Sequence, residues 1–332
     1  MDQIVKNAVR TGAAAGARGR VLAGAAAALA GLAAAEWWRA RAAEKARPPT
    51  GRFVSIGGLP VHHVEAGEGP PVLLLHGNGA TTEDFALSGL LDRLARRHRV
   101  VAMDRPGYGY TPRPRDRVWG PAAQAGLIAR FIDRIGMERP VVVGHSWGTL
   151  PALALALDHP DEVGGLVLMS GPYFPSARID VWLMAPPALP VVGDALLYTA
   201  SPLLSRAIFP LLVRRIFSPR PTPRRFRDHF PRELALRPWQ LRASAEESGI
   251  MIPSAAKLSR RYGELALPVA VVTGDGDRMI EPEQAVRLAG AISGSTLHRM
   301  PGIGHMLHYA APDAIARIVD EVSDRVGGAT TG

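Results

Sequence analysis

The chain has no cysteine, and only three of its 39 basic residues are lysines, Lys6, Lys45 and Lys257. The first absence excludes disulfide scaffolds, thiol nucleophiles, cysteine zinc sites and iron–sulfur clusters, although it does not fix a compartment. Aromatic residues are also scarce, at 6%. The arginines carry no regularly interleaved aromatic platform and no recognisable nucleic-acid motif, so no nucleic-acid partner is expected. Acidic residues number 30, which leaves a net charge of +9. The arginine, alanine and glycine bias reads as the codon usage of a GC-rich genome, which lowers the weight of that charge as a sign of an anionic partner. What remains is an ordinary globular balance. The 332 residues are 47% hydrophobic and 21% charged, enough to build one large domain or a core with an insertion.

The first 47 residues differ in character from the rest. Lys6, Arg10, Arg18 and Arg20 precede an uncharged run of 15 residues, Val21 to Ala35, and Glu36, Trp37, Trp38, Arg39 and Arg41 follow. As a helix the run rises about 22 Å, short of the roughly 30 Å hydrocarbon core of a bilayer. A basic lead, a short apolar run and a Trp pair suit a membrane anchor or interfacial helix within residues 1–41. A cleaved signal peptide has a similar pattern, as does an Ala-rich surface helix. The chain is therefore expected to be membrane-associated, with a cytoplasmic location or export after cleavage as alternatives. Pro48 and Pro49 then stop the helix.

From residue 52 strands and helices alternate. Arg52 to Ala66 reads as a hairpin turning at Gly57-Gly58. Continuous apolar runs at 72–75, 141–143, 166–169 and 269–272 read as strands, as burial on both faces requires, with further strands at 99–103 and, shorter, at 295–299. Helical periods cover 82–97, 120–135, 150–158, 282–291 and 314–326. This order predicts an α/β fold with a mainly parallel, eight-stranded sheet and helices on both faces. No internal repeat is visible. About 90 residues interrupt the pattern, rich in proline and arginine, with apolar stretches that suggest short helices. They follow the carboxyl end of the sixth strand, where α/β sheets bind ligands. The expected division is a segment 1–47, a core at 48–171 and 264–328, and a cap at 172–263.

The chemistry centres on Gly144-His145-Ser146-Trp147-Gly148, between a buried strand and a helix. A sharp strand-to-helix turn lifts the serine out of the sheet, and small flanking residues are needed where neighbouring elements crowd it. The helix N-terminus sets backbone N–H groups beside a developing oxyanion. A serine hydroxyl needs a base. His305 lies after the last short strand and before the last helix, and His308 is expected to be structural. Asp277, just past the strand at 269–272, would orient the histidine, with Asp275 as competitor. The oxyanion hole needs two N–H groups, expected from Trp147 and from Asn78 in His76-Gly77-Asn78-Gly79, a loop that His76 would brace. Asp104 and Arg105 are expected to pair with each other and tie loops together. Trp147, Tyr173, Phe174 and Trp182 are the candidate pocket residues. The run Arg214, Arg215, Arg220, Arg224, Arg225 and Arg227 reads as a solvated face or as a surface for anionic lipid or a carboxylate substrate.

Four motifs in their usual order resemble the capped α/β-hydrolase superfamily: His76-Gly77-Asn78-Gly79, Asp104-Arg105-Pro106-Gly107-Tyr108-Gly109, the Ser146 elbow, and the Asp277 and His305 segments. The resemblance covers roughly residues 51–328, the cap only by position. The elbow is similar to that of haloalkane dehalogenases and epoxide hydrolases, but those use an aspartate nucleophile and this chain has Ser146. The resemblance thus implies the serine members: carboxylesterases, lipases, carbon–carbon bond hydrolases and cofactor-free haloperoxidases. The expected reaction is ester cleavage through an acyl-enzyme, on an apolar acid or alcohol, with no metal or organic cofactor. The alternatives are a slow-turnover ligand sensor, or a carbon–carbon bond hydrolase or haloperoxidase on the same triad.

Overall fold

The computed structural model describes residues 2–176 and 185–330. Eight strands form one sheet in the order β1-β2-β4-β3-β5-β6-β7-β8. The hairpin β1 (Arg52–Ile56) and β2 (Leu59–Ala66) runs antiparallel, and β2 meets β4 (Arg99–Met103) antiparallel. From β4 onward every pairing is parallel, through β3 (Pro71–Leu75), β5 (Val141–His145), β6 (Gly165–Met169), β7 (Val269–Gly274) and β8 (Thr296–Met300). The expected fold is therefore the observed one.

The apolar runs have two destinations because strand side chains alternate between faces. Leu73, Leu75 and Val142 join one buried cluster with residues of α4 (Pro121–Arg134) and α5 (Thr149–Asp158). Val72, Leu74 and Val143 join a second, on the opposite face, with α3 (Leu90–Leu94) and α13 (Pro312–Thr330). Both layers exclude water, which is why β3, β5, β6 and β7 contain no alternating polar positions.

Three elements depart from the sequence expectation. The helix expected at 82–97 is two helices, α2 (Glu83–Ser88) and α3, because Gly89 takes φ +77° and caps α2 through its N–H to the Ala86 carbonyl. The last helix extends beyond both expected ends, to Pro312–Thr330. The insertion between β6 and β7 contains long helices as well as short ones: α6 (Val192–Leu197), α7 (Ala200–Phe217), α8 (Arg224–His229), α9 (Arg232–Ala235) and α10 (Pro238–Leu258). Pro210 sits inside α7 and Pro253 inside α10, where tertiary packing outweighs the lost helical hydrogen bond.

The N-terminal helix α1 (Asp2–Ala46) docks by its C-terminal part on the inserted helices. Glu36 is buried and its carboxylate lies 2.9 Å from the Arg206 guanidinium of α7. Glu44 accepts from Arg237 at 2.8 Å. Arg237 is itself buried and donates to the Gly109 carbonyl, so the chain of contacts reaches the loop after β4. The part of α1 from Gly19 to Ala46 is long and apolar enough to cross a membrane, and its most apolar 18-residue stretch, with a mean hydropathy of 1.4, is almost wholly exposed.

Candidate active site

The parallel strands end at one edge of the sheet, and the candidate residues gather there. β5 runs into a single 3-10 turn, Ser146–Gly148, before α5 begins. Ser146 has φ +52°, a conformation costly for a residue with a Cβ. The turn is sharp because the flanking glycines permit close approach. A Cβ on Gly144 would come within 2.8 Å of the Thr149 Cα, and one on Gly148 would strike the Leu75 and His76 carbonyls. Thr149 stabilises the turn by donating its hydroxyl to the Ser146 carbonyl at 2.7 Å.

Asp277 and His305 meet at the same edge. His305 Nδ1 donates to Asp277 Oδ2 at 2.8 Å, and the other carboxylate oxygen accepts the amides of Met279 (2.8 Å) and Ile280 (3.0 Å). Burial would raise the Asp277 carboxyl, but the charge and hydrogen bond of His305 and these two amides outweigh it and hold it below its ordinary value. Asp275 points elsewhere and pairs with Arg299 at 3.0 Å on the surface. Of the two aspartates, the fold brings only Asp277 to His305. His308, in the short helix α12 (Leu307–Ala310), bonds Asp84 at 2.8 Å and has no bond to Asp277.

Ser146, His305, Gly77, Asn78 and Trp147 line one cavity of about 250 Å³. Among the described residues the Asn78 and Trp147 amides donate to no other group. Their side chains are fixed by α10. Asn78 Nδ2 donates to the Ser244 carbonyl at 3.0 Å, and Trp147 Nε1 to the Glu247 carbonyl at 3.2 Å. The remaining wall is mostly apolar, with Phe209, Leu212 and Ile216 of α7, Phe226 of α8 and Met251 of α10, and includes Asp84, His145 and three serines.

The loop bearing Asn78 is braced by His76. Its Nδ1 donates to the Gly77 carbonyl at 2.8 Å, and its Nε2 accepts the Arg105 amide at 3.0 Å. Burial, with the Arg105 charge adding to it, drives the His76 imidazole down to about 4, so the ring is neutral at pH 7. The expected pairing of Asp104 with Arg105 does not occur. Asp104 bonds His62 at 2.7 Å and the amides of Thr82 and Tyr110. Arg105 pairs with Glu247 of α10 at 2.5 Å, both wholly buried. Each residue still ties loops, but to partners 42 and 142 positions away that the local sequence does not disclose.

Two pocket expectations are corrected. Tyr173 is fully buried in the core cluster of α4 and α5, and its carbonyl accepts the Tyr262 hydroxyl at 2.6 Å. Phe174 packs against the same cluster, under the Arg287 guanidinium at 4.0 Å. Neither lines the cavity, because the chain leaving β6 runs toward α11 (Glu283–Ala291), where Gln284 holds both ends of the Phe174 peptide unit. Trp182 lies outside the described residues.

Sequence reasoning missed Asp84, which lines the cavity and is bonded to His308 and Tyr309. His145 lies between these groups and His305, its ring centroid 4.5 Å from that of His308, edge to face, and 5.0 Å from that of His305, while its Nε2 donates to the His305 carbonyl at 3.0 Å. Asp84, His145 and His308 offer donor atoms within 4.8 Å of one another, but the Asp84–His308 hydrogen bond already occupies two of them. The partners lie 224 positions apart, and no local motif links them.

The family described as alpha/beta hydrolase fold matches residues 70–312. Haloalkane dehalogenase 2 of Mycobacterium tuberculosis is 27% identical over 275 residues, covering 79% of this chain and 90% of that protein. The 2-hydroxy-6-oxo-2,4-heptadienoate hydrolase of Pseudomonas putida is 28% identical over 279 residues, covering 82% of this chain and 95% of that protein. Among solved structures, Cfl2 of Burkholderia cenocepacia superposes with a TM-score of 0.68 at 24% identity, covering 83% of this chain and 97% of that one. The sheet order, the serine turn after β5 and these matches agree, and the chain belongs to the alpha/beta hydrolase fold family, as a hydrolase.

Proposed function

We propose that the chain is a serine hydrolase that cleaves esters of an apolar acid or alcohol. The observation that carries this reading is Ser146 at φ +52° in the same apolar cavity as His305, with His305 bonded to Asp277. Ser146 Oγ attacks the ester carbonyl while His305 Nε2 accepts its proton. Asp277 holds the ring and stabilises its charged form. The Asn78 and Trp147 amides receive the oxyanion. His305 then protonates the leaving alcohol, and a water deprotonated by His305 releases the acid from Ser146. This sequence uses only the chain's own groups.

A second reading is carbon–carbon bond hydrolysis, favoured by the 28% identity to 2-hydroxy-6-oxo-2,4-heptadienoate hydrolase. The substrate in that name is a carboxylate. Among the described residues no arginine or lysine lines the cavity here, and its wall is built mainly from Leu, Ile, Phe, Val and Met. A buried carboxylate without a cation is costly, so the cavity favours a neutral, apolar substrate. Haloalkane dehalogenation is disfavoured because the elbow carries Ser146 in place of an aspartate.

The test is a chain-length series of p-nitrophenyl esters on the protein and its Ser146→Ala variant. Turnover that rises with acyl length and disappears in the variant supports the reading. A flat series, or a preference for charged acyl groups, contradicts it. A single turnover leaving a stable adduct would assign the site to a ligand sensor. We further propose that the chain associates with a membrane through residues 1–41, supported by the exposed apolar helix from Gly19.

A further inference from the structure

The helix α7 has two apolar faces, and only one of them serves the cavity. Ser205, Ile208, Phe209, Leu212, Val213 and Ile216 line it, at the i, i+3, i+4 spacing of a single helical stripe. Leu203, Leu204 and Leu211 lie outside that stripe and are 44%, 62% and 71% exposed. Leu203, Ala207, Leu211 and Arg214 form a second stripe, with Leu204 beside it. Ile208 belongs to the cavity wall yet is 39% exposed, so the rim of the cavity adjoins the outer apolar face.

The same helix is fastened to α1. Arg206, itself partly exposed, joins the buried Glu36 at 2.9 Å, an ion pair that ties the two helices together at one point. N-terminal to that pair, α1 exposes Val21 and Leu22 at 70% each and Leu29 at 53%, and Trp38 beyond it is 68% exposed. Scattered exposed leucines need no explanation, but two linked helices that each leave several large apolar side chains in solvent do. Arg214 of the outer stripe is exposed and has no carboxylate partner among the described residues. Exposed apolar side chains with an unpaired arginine among them complement the acyl and phosphate layers of an anionic phospholipid bilayer.

We propose that the outer face of α7 and the exposed part of α1 form one bilayer-docking surface. In this arrangement Ile208 and its neighbours open the cavity toward the lipid, and the ester enters from the membrane phase. The inference rests on the hydrolase reading and names its substrate class, an ester partitioned into a phospholipid bilayer. Leu204 and Leu211 contact neither the cavity nor the candidate triad, so they separate docking from chemistry.

The experiment compares the full chain with a Leu204→Glu/Leu211→Glu double variant. Each is given p-nitrophenyl palmitate embedded in phosphatidylcholine–phosphatidylglycerol vesicles and, separately, soluble p-nitrophenyl butyrate. The expected result is a loss of about tenfold or more on the embedded ester with the soluble rate unchanged. An Arg214→Gln variant should show a smaller preference for these vesicles over pure phosphatidylcholine. Equal loss on both esters, or no loss on the embedded one, overturns the docking surface. If the unsubstituted chain cleaves neither ester, the hydrolase reading itself fails, a result distinct from an unchanged ratio.

Discussion

Asn78 and Trp147 sit on different loops, yet their side chains donate to carbonyls one turn apart on α10, those of Ser244 and Glu247. The two amides assigned to the oxyanion are thus positioned by an inserted helix, not by the sheet alone. Truncating the side chains leaves both amides in place. Asn78→Ala and Trp147→Phe are therefore expected to lower kcat by roughly tenfold with little change in KM. Removing an oxyanion donor outright costs roughly 100-fold or more. Steady-state kinetics on a soluble ester checks this, and a change confined to KM would contradict it.

Arg105 and Glu247 anchor the same helix from beneath. The Arg105 guanidinium also stacks 4.9 Å from the Trp147 ring, and the Tyr108 hydroxyl donates to Glu247 at 2.7 Å. Breaking a buried pair strands a charge, so Glu247→Gln or Arg105→Met alone should cost about 3–5 kcal/mol. The double variant Arg105→Met/Glu247→Leu should cost less than the sum of the two single changes. Denaturant unfolding measures all three. Strict additivity would show that the pair is not coupled.

Acid sensitivity should begin near pH 6.5, earlier than carboxylates alone would give. Burial pushes His76 down to about 4, and burial with the neighbouring His308 and His305 drives His145 well below its ordinary value. A depressed histidine resists protonation when folded, while the unfolded chain takes up a proton below 6.5. Stability is then lost as pH falls from 6.5 toward 4, by about 1.4 kcal/mol per pH unit for each such group. Asp84, Asp104 and Asp277 are also held below 3.8, and their contribution is lost only at still lower pH. A plateau of stability from pH 7 down to pH 4 would refute this ordering.

Asp277 and Asp275 make opposite predictions. Asp277→Asn should lower kcat by about 10³–10⁴, because the acid no longer holds His305 in its donating tautomer. Asp275→Asn removes only a surface pair with Arg299 and should change kcat by less than about twofold. Comparable losses in the two variants would reject the assignment.

The fold was largely legible because β3, β5, β6 and β7 are buried on both faces and read as unbroken apolar runs. Ser146, Asp277 and His305 could be found because each follows a strand end, a position marked in sequence. Tyr173 shows the limit of that logic. It also follows a strand end, but the next turn carries it into the core. The Asp84–His308 and Arg105–Glu247 partnerships depend on where the helices of the insertion and the C-terminal segment pack, which no local pattern encodes. The split of α2 from α3 was signalled by Gly89, within an otherwise helical period.

The central claim is that Ser146 is a nucleophile activated by His305. The most direct measurement is fluorophosphonate labelling of the full chain beside Ser146→Ala and His305→Ala, with an ester panel on all three. Stoichiometric labelling and steady turnover are expected in the unsubstituted protein, neither in Ser146→Ala, and sharply slowed labelling in His305→Ala. Labelling that persists in folded Ser146→Ala, or a folded unsubstituted protein that neither labels nor turns over ester, would contradict it.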